Sequence, residues 1–231
     1  FDLDGDLDIY VCSYGGGMGG SGASGFEARS PVPFNDAENG GRNVLLRNNG
    51  GFAIEDVTVA VGLDAKNSRW SFAAAWEDFD ADGDADLYVA NDFGRNTFYR
   101  NDGGTFSEIA AEAGVEDMAS GMSVAWADFD RDTRMDLYVG NMFSSAGKRE
   151  TARTSFRRNR SEGSVKDLRR MARGNTLFSS ADNGFTDIGE LAGVNVGRWA
   201  WSSGFADINN DGWEDIVVAN GYLTNRHASD L

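Results

Sequence analysis

Trp76-Glu-Asp-Phe-Asp-Ala-Asp-Gly-Asp-Ala-Asp-Leu-Tyr-Val-Ala-Asn91 decides the fold, because it comes back. It recurs as Trp126-Ala-Asp-Phe-Asp-Arg-Asp-Thr-Arg-Met-Asp-Leu-Tyr-Val-Gly-Asn141 and as Phe205-Ala-Asp-Ile-Asn-Asn-Asp-Gly-Trp-Glu-Asp-Ile-Val-Val-Ala-Asn220. The chain opens partway through another copy, Phe1-Asp-Leu-Asp-Gly-Asp-Leu-Asp-Ile-Tyr-Val11. Self-similarity at a fixed period is the signature of a repeat architecture. The equivalent aspartates Asp8, Asp86, Asp136 and Asp215 stand 78, 50 and 79 residues apart. The unit is therefore about fifty residues long, and two copies carry insertions, at about 14–41 and 144–173, after the same predicted strand.

Around this segment each unit shows period-two patterning about a Gly-containing turn: Asn43 to Phe52, Asn96 to Phe106 and Asn175 to Phe185. Such patterning predicts a β-hairpin. A short turn or helical link follows, ending at Gly62, Gly114 and Gly193. Next come Ser71 to Trp76, Ser120 to Trp126 and Trp199 to Phe205, dominated by Ala, Ser and Gly with aromatic ends. Small side chains suit a strand crowded near a central axis. Four strands per unit, repeated radially, describe the blades of an all-β propeller. The sequence holds parts of four blades, the first without its inner strand and the last without its outer ones, so the array is expected to be partial.

The acidic residues are not spread evenly. Of the thirty-seven, sixteen aspartates lie in four short segments, in a chain whose formal charge is -16. On a common register of nine positions the loops read Asp78, Asp80, Asp82, Asp84, Asp86; Asp128, Asp130, Asp132, Arg134, Asp136; and Asp207, Asn209, Asp211, Trp213, Asp215. The opening copy retains Asp2, Asp4, Asp6 and Asp8. Side-chain oxygens at positions 1, 3, 5 and 9, with the carbonyl of position 7 (Asp6, Asp84, Arg134, Trp213), can converge on one hard cation. The physics is that of an EF-hand loop, in which alternating oxygen-bearing side chains curl round calcium and a glycine allows the sharp turn. Without a cation such crowded carboxylates repel one another. All-oxygen ligands favour calcium over zinc, and flexible carboxylate-dense loops favour it over magnesium. Up to four calcium ions are expected, and they would halve the formal charge. The first loop is truncated. The third is expected to be the weakest, because Thr133 replaces glycine where a positive φ is required and Arg134 opposes a cation.

At these residues the unit resembles the FG-GAP/VCBS repeat of integrin α-subunit propellers and of many secreted bacterial proteins. More narrowly, Ser120-Gly-Met-Ser-Val-Ala-Trp126, Asn141-Met-Phe-Ser-Ser145 and Trp199-Ala-Trp-Ser-Ser-Gly-Phe205 are similar to cartilage-acidic-protein-like proteins with an ASPIC/UnbV domain. The resemblance implies an extracellular or periplasmic calcium-binding propeller, used as an adhesion or interaction scaffold, with a separate C-terminal domain not included in these residues.

Other features bear on what the module meets. Strong net negative charge argues against nucleic acid or an anionic membrane surface as partner. No run of eighteen apolar residues occurs, so membrane insertion by a helix is not expected. Phe1 in place of Met reads as the interior of a longer or processed protein. Cys12 is the sole cysteine and His227 the sole histidine. A Ser-His-Asp or Cys-His device is accordingly not expected, and the clustered carboxylates are committed as metal ligands. An enzyme acting on polysaccharide, with catalytic residues in an insertion or outside these residues, is the alternative; self-assembly through incomplete blades is a second. The glycine-rich stretch Gly15 to Gly25 lacks the Lys and Ser/Thr of a phosphate loop. Residues 148–173 hold ten of the twenty-one Lys and Arg, and Ser164 and Gly174 predict the start and stop of a short helix resting on the acidic propeller. Trp213, inside a loop, is a candidate for contact with sugar. A protein or glycan ligand is expected.

Overall fold

A computed structural model describes residues 1–15, 30–51, 53–158 and 160–221. Within them the chain runs β1 (Ile9–Val11), β2 (Val44–Asn48), β3 (Ile54–Asp56), β4 (Trp70–Glu77), β5 (Asp86–Asp92), β6 (Thr97–Asn101), β7 (Phe106–Glu108), α1 (Ala110–Ala113), β8 (Gly121–Ala127) and β9 (Asp136–Asn141). It continues through three helices, α2 (Ser145–Ala152), α3 (Thr154–Arg157) and α4 (Glu162–Met171), to β10 (Thr176–Ala181), β11 (Gly184–Asp187), β12 (Ala200–Ala206) and β13 (Asp215–Asn220). Four antiparallel sheets result, in the orders β1-β2-β3, β4-β5-β6-β7, β8-β9-β10-β11 and β12-β13. Two blades are complete, and the described first and fourth sheets have three and two strands, as the repeat implied.

The core lies between blades. On β5, Leu87 and Val89 turn to Leu45, Val57 and Leu63 of the first blade. Tyr88 and Ala90 turn the other way, to Leu137, Val139 and Phe178 of the third. Successive strand side chains point to opposite faces, so a middle blade is buried on both, and every residue of β5 and β9 is buried. Each such Leu or Val contributes about 1.5–3 kcal/mol on burial. By contrast β1 and β13, in the outermost blades, expose Ile9, Val11 and Val217.

The inner strands β4, β8 and β12 lie side by side. Ser123 Oγ meets Ser203 Oγ at 2.7 Å between blades. A Cβ on Gly140 would lie 2.2 Å from Ser123 Oγ, and one on Gly121 would lie 3.0 Å from Ala90 Cβ. Crowding near the axis is thus the reason for the small residues. Each inner strand also carries a bulge at the same place, past Ser71, Gly121 and Ala200.

A repeated asparagine fixes each third strand. Asn43, Asn96 and Asn175 accept through Oδ1 from the amides of Ser13, Asn91 and Asn141, each at 2.8 Å. Asn96 and Asn175 also donate to the hydroxyls of Tyr88 and Tyr138, which donate in turn to the carbonyls of Val115 and Val194.

The second insertion departs from expectation. Three helices stand where one was read, and α4 is capped by Ser161, whose hydroxyl accepts from Ser164 N at 3.1 Å, three residues before the expected start. Gly174 has φ +98° but lies beyond the helix, whose last turn ends at Ala172. Apolar Val165 and Met171 are buried on one side of α4. Arg170 anchors the helix by pairing with fully buried Asp117, which also accepts from Asn141 Nδ2 and Thr176 Oγ1, each at 2.9 Å. A buried charge is tolerated when it is paired and hydrogen-bonded in this way. The glycine-rich stretch past Gly15 and His227 lie outside the described residues. Among the described residues no helix is long and apolar enough to cross a membrane.

Candidate metal centre

The three complete Asp-rich loops join a first strand to a second, the opening copy leads into the equivalent strand β1, and all four share one backbone, whatever their sequence. Position 4 is left-handed in each: Leu3, Ala81, Arg131 and Asn210 have φ between 58° and 63°. Position 6 is left-handed too, at Gly5, Gly83 and Gly212 (φ 96°, 98° and 86°) and at Thr133 (φ 72°). A non-glycine residue in this region costs about 1–2 kcal/mol, and such strain gathers at functional turns. Nothing in the side chains of Leu3, Ala81 or Arg131 announces it.

Two aspartates hold this shape in each of the three complete loops, and one of them, at position 9, does so in the first. The position 1 carboxylate accepts from two successive amides: Asp78 from Asp82 and Gly83, Asp128 from Asp132 and Thr133, and Asp207 from Asp211 and Gly212, at 2.8–3.1 Å. The position 9 carboxylate ties the loop to the sheet. Asp86 accepts from Phe79 N at 3.1 Å and from Asn101 N, at the end of β6, at 2.8 Å. Asp136 does the same with Phe129 N (3.2 Å) and Ser180 N (2.8 Å). Asp8 accepts from Asn48 N at 2.9 Å and pairs with the ammonium of Phe1 at 2.8 Å. Asp215, in the two-stranded sheet, accepts from Ile208 N. Burial pushes the Asp86 carboxyl up to about 7 and the Asp136 carboxyl up to about 6, against the opposing pull of those amides.

The same aspartates, with those at positions 3 and 5, also form the cage. Asp78, Asp80 and Asp82 bring one carboxylate oxygen each within 4.8 Å of one another, and so do Asp128, Asp130 and Asp136. Oxygens sharing one calcium at 2.3–2.6 Å lie no more than about 5 Å apart, so both groups fit a single hard cation. Position 5 keeps one oxygen on the amide of position 7, as in Asp82 with Asp84 N, Asp132 with Arg134 N, Asp211 with Trp213 N and Asp4 with Asp6 N. Asp2 Oδ1 is buried without a hydrogen-bond partner, a state that a bound cation would relieve. In the fourth loop Asn209 accepts from Asp211 N and donates to Asp211 Oδ2, and its three aspartates do not form a converging carboxylate group among the described residues.

Position 7 separates the loops. Asp84 turns outward to accept from Gly103 N at 2.6 Å, in the neighbouring hairpin turn. Arg134 folds back onto Asp132, and its other nitrogen stands 3.6 Å from Asp182. Trp213 is half exposed, with the Arg131 guanidinium 4.1 Å over its ring. The single cysteine is no ready nucleophile: burial pushes the Cys12 thiol up to about 11, so it stays protonated near neutrality.

Antiparallel blades set side by side about crowded inner strands, each turning through an oxygen-rich loop at the same corner, define a β-propeller of the kind whose loops can hold metal. Residues 78–139, which span the second loop, blade two from β5 outward and the third loop through β9, match the model described as FG-GAP-like repeat, so the chain contains an FG-GAP-like repeat. No curated protein matches it.

Proposed function

We propose that this chain is a calcium-stapled, non-catalytic propeller scaffold of an extracellular or periplasmic protein, presenting its inserted segments to a protein or glycan. One observation carries the reading. Four loops of different sequence adopt one strained backbone, and in two of them three carboxylates converge to the spacing of ligands on one cation. The metal's role is structural: it would neutralise the cage and clamp the first hairpin of each blade to the hydrogen bonds made by position 9. An ion that binds only the folded state stabilises it by about 2.7 kcal/mol per site at a hundredfold excess over Kd. Calorimetry should therefore show a melting temperature that rises with calcium and falls with EDTA. A transition indifferent to both overturns the structural-calcium reading.

A second reading has its own support. Leu7, Ile9 and Val11 in the first blade and Ile208 and Val217 in the last are exposed, and apolar faces of blades are ordinarily covered by other blades. Association with a second copy would double the mass measured by light scattering. A monomer at all concentrations removes this reading and leaves the first untouched.

A further inference from the structure

Antiparallel order places the two insertions away from the acidic loops. The Asp loops join first to second strands, whereas residues 12–43 and 142–175 join second to third strands, at the opposite end of the blades. The insertions meet there. Residues 36 and 37 lean on blade two, where Ala37 N donates to Phe93 O at 2.8 Å and Asp36 pairs with Arg69 and Arg95. Asn35 Nδ2 then reaches Asp167 Oδ2 of α4 at 3.2 Å.

Two properties of this end exceed what the fold uses, although Arg157 and Arg169 also donate to the carbonyls of Ala152 and Thr151. The first is charge: residues 148–173 carry ten cations against three acids. Only Arg153, Arg170 and Arg173 are ion-paired among the described residues. The other seven, Arg149, Arg157, Arg158 and Arg169 among them, are exposed. The second is a string of rings: Phe34, Phe93, Trp70, Tyr14, Phe72 and Trp201, in that order, with successive centroids 5.1–5.9 Å apart. It crosses from the first insertion to the fourth blade. Phe72 and Trp201 sit at the bulges of their inner strands, and a bulge re-aims the side chain it carries. Four of these rings are solvent-facing, Phe34 at 58% and Tyr14 at 48%. Tyr14 is held in place by its hydroxyl, which donates to Asp92 at 2.9 Å. Phe34 adjoins Asn35, so the string and the cationic helices form one surface.

We infer that this end of the propeller binds a linear acidic polysaccharide, the exposed rings seating sugar faces and the guanidinium groups of α2–α4 taking carboxylate or sulfate groups. Arginine presents a planar fork matched to such groups. Rings that are rigid and part-exposed offer contact area at little entropic cost. Most acids of this surface are already engaged, Asp36 with two arginines, Asp167 with Asn35, Asp92 with Tyr14 and Glu150 with Arg153, which leaves Glu162 at the start of α4 exposed. A nucleic-acid duplex suits the surface less, since its bases are stacked inside the helix and offer no free face to the exposed rings. The inference gives the scaffold reading its ligand class and rests on it for the module's role.

Binding of the 231-residue chain to dextran sulfate, alginate, dextran, polyglutamate and oligothymidylate by affinity electrophoresis tests it. Dextran sulfate and alginate should be retained and dextran should not. The triple variant Arg157→Ala, Arg158→Ala, Arg169→Ala should weaken retention about tenfold, and Phe34→Ala about fivefold. No retention of either acidic polysaccharide, or retention unchanged in the triple variant, overturns the inference. So does equal retention of polyglutamate or oligothymidylate with indifference to Phe34→Ala, which would reduce the surface to bare charge. Melting in EDTA is read on the same samples. A calcium-dependent transition without polysaccharide binding sinks the inference alone, and binding with an EDTA-indifferent transition sinks the calcium reading alone.

Discussion

The loops Asp78–Asp86 and Asp128–Asp136 differ in sequence where a metal loop should be least tolerant, yet they have the same backbone. Position 6 is glycine in one and threonine in the other, and both are left-handed, at φ 98° and 72°. Position 1 accepts from the same two amides in each, and position 9 from the same strand of the same blade. What changes is the cage. Asp82 joins Asp78 and Asp80, whereas Asp132 is drawn off by Arg134 and Asp136 takes its place beside Asp128 and Asp130. The two loops therefore separate two duties that one acidic string conceals. Positions 1 and 9 shape the loop through backbone amides as well as offering oxygens to a cation, whereas positions 3, 5 and 7 mainly decide how well it holds one.

The largest effect should come from the shaping residues. Asp86→Ala or Asp136→Ala strands two backbone amides, at about 1–3 kcal/mol for each buried donor, so either variant should lose about 3 kcal/mol by urea denaturation in EDTA. Asp80→Ala, with no such duty to β6, should lose less than about 0.5 kcal/mol under the same conditions. Equal losses would erase the division of labour. Next in size is affinity. On the proposed calcium chemistry, calorimetric titration should place the third loop about tenfold or more below the second, because the Arg134 cation competes for Asp132. Arg134→Asp should close most of that gap, while an unchanged affinity would mean that Arg134 swings clear.

Much of this is legible in the amino-acid sequence. The repeat of Trp76–Asn91 marked the blades because each middle blade is buried on two faces, which demands the same unbroken Asp-Leu-Tyr-Val in β5 and β9. The Asp positions followed from oxygen spacing alone. Other features were hidden for physical reasons. Left-handed position 4 has no residue preference to read, being Leu3, Ala81, Arg131 and Asn210. The amide partners of Asp86 and Asp136 lie 15 and 44 residues away, beyond any local pattern. In the second insertion, composition marked a cationic helix but not three, since Ser161 and Ser164 are equally good caps by type and only geometry chooses. The ring string joins residues with no common spacing, so no period could have found it.

A smaller contrast between the two loops lies in their pH dependence. A carboxyl must lose its proton to bind a cation. Burial holds Asp86 near 7 and Asp136 near 6, both above the ordinary value; with position 9 as a ligand, as the proposed calcium chemistry has it, protons compete with calcium as pH falls through 7 at the second loop and only through 6 at the third. Between pH 8 and pH 6 affinity should drop about tenfold at the second loop and about twofold at the third, measured site by site in Asp130→Ala and Asp80→Ala backgrounds. In calcium-free protein the same raised values work the other way on stability. The folded state holds protons that the unfolded chain has released, so these two groups favour folding least above pH 7, increasingly as pH falls from 7 to about 4, and most below about 4.

The smallest effect isolates position 6 itself. Thr133 carries a β-branched side chain at φ 72°, a conformation costing about 1–2 kcal/mol, while glycine there loses more backbone freedom on folding, about 0.5–1 kcal/mol. Thr133→Gly should thus stabilise the calcium-free chain by about 0.5–1 kcal/mol, and Gly83→Thr should destabilise it by a similar amount. The two changes are mirror images on one backbone, and a Cβ at Gly83 meets nothing within 4 Å, so packing adds no second cause. Opposite signs of similar size would establish that the fold imposes this turn on whatever residue occupies it. If Thr133→Gly destabilises instead, the threonine is making a contact that outweighs its strain, and the third loop is then a different loop from the second rather than a weakened copy of it.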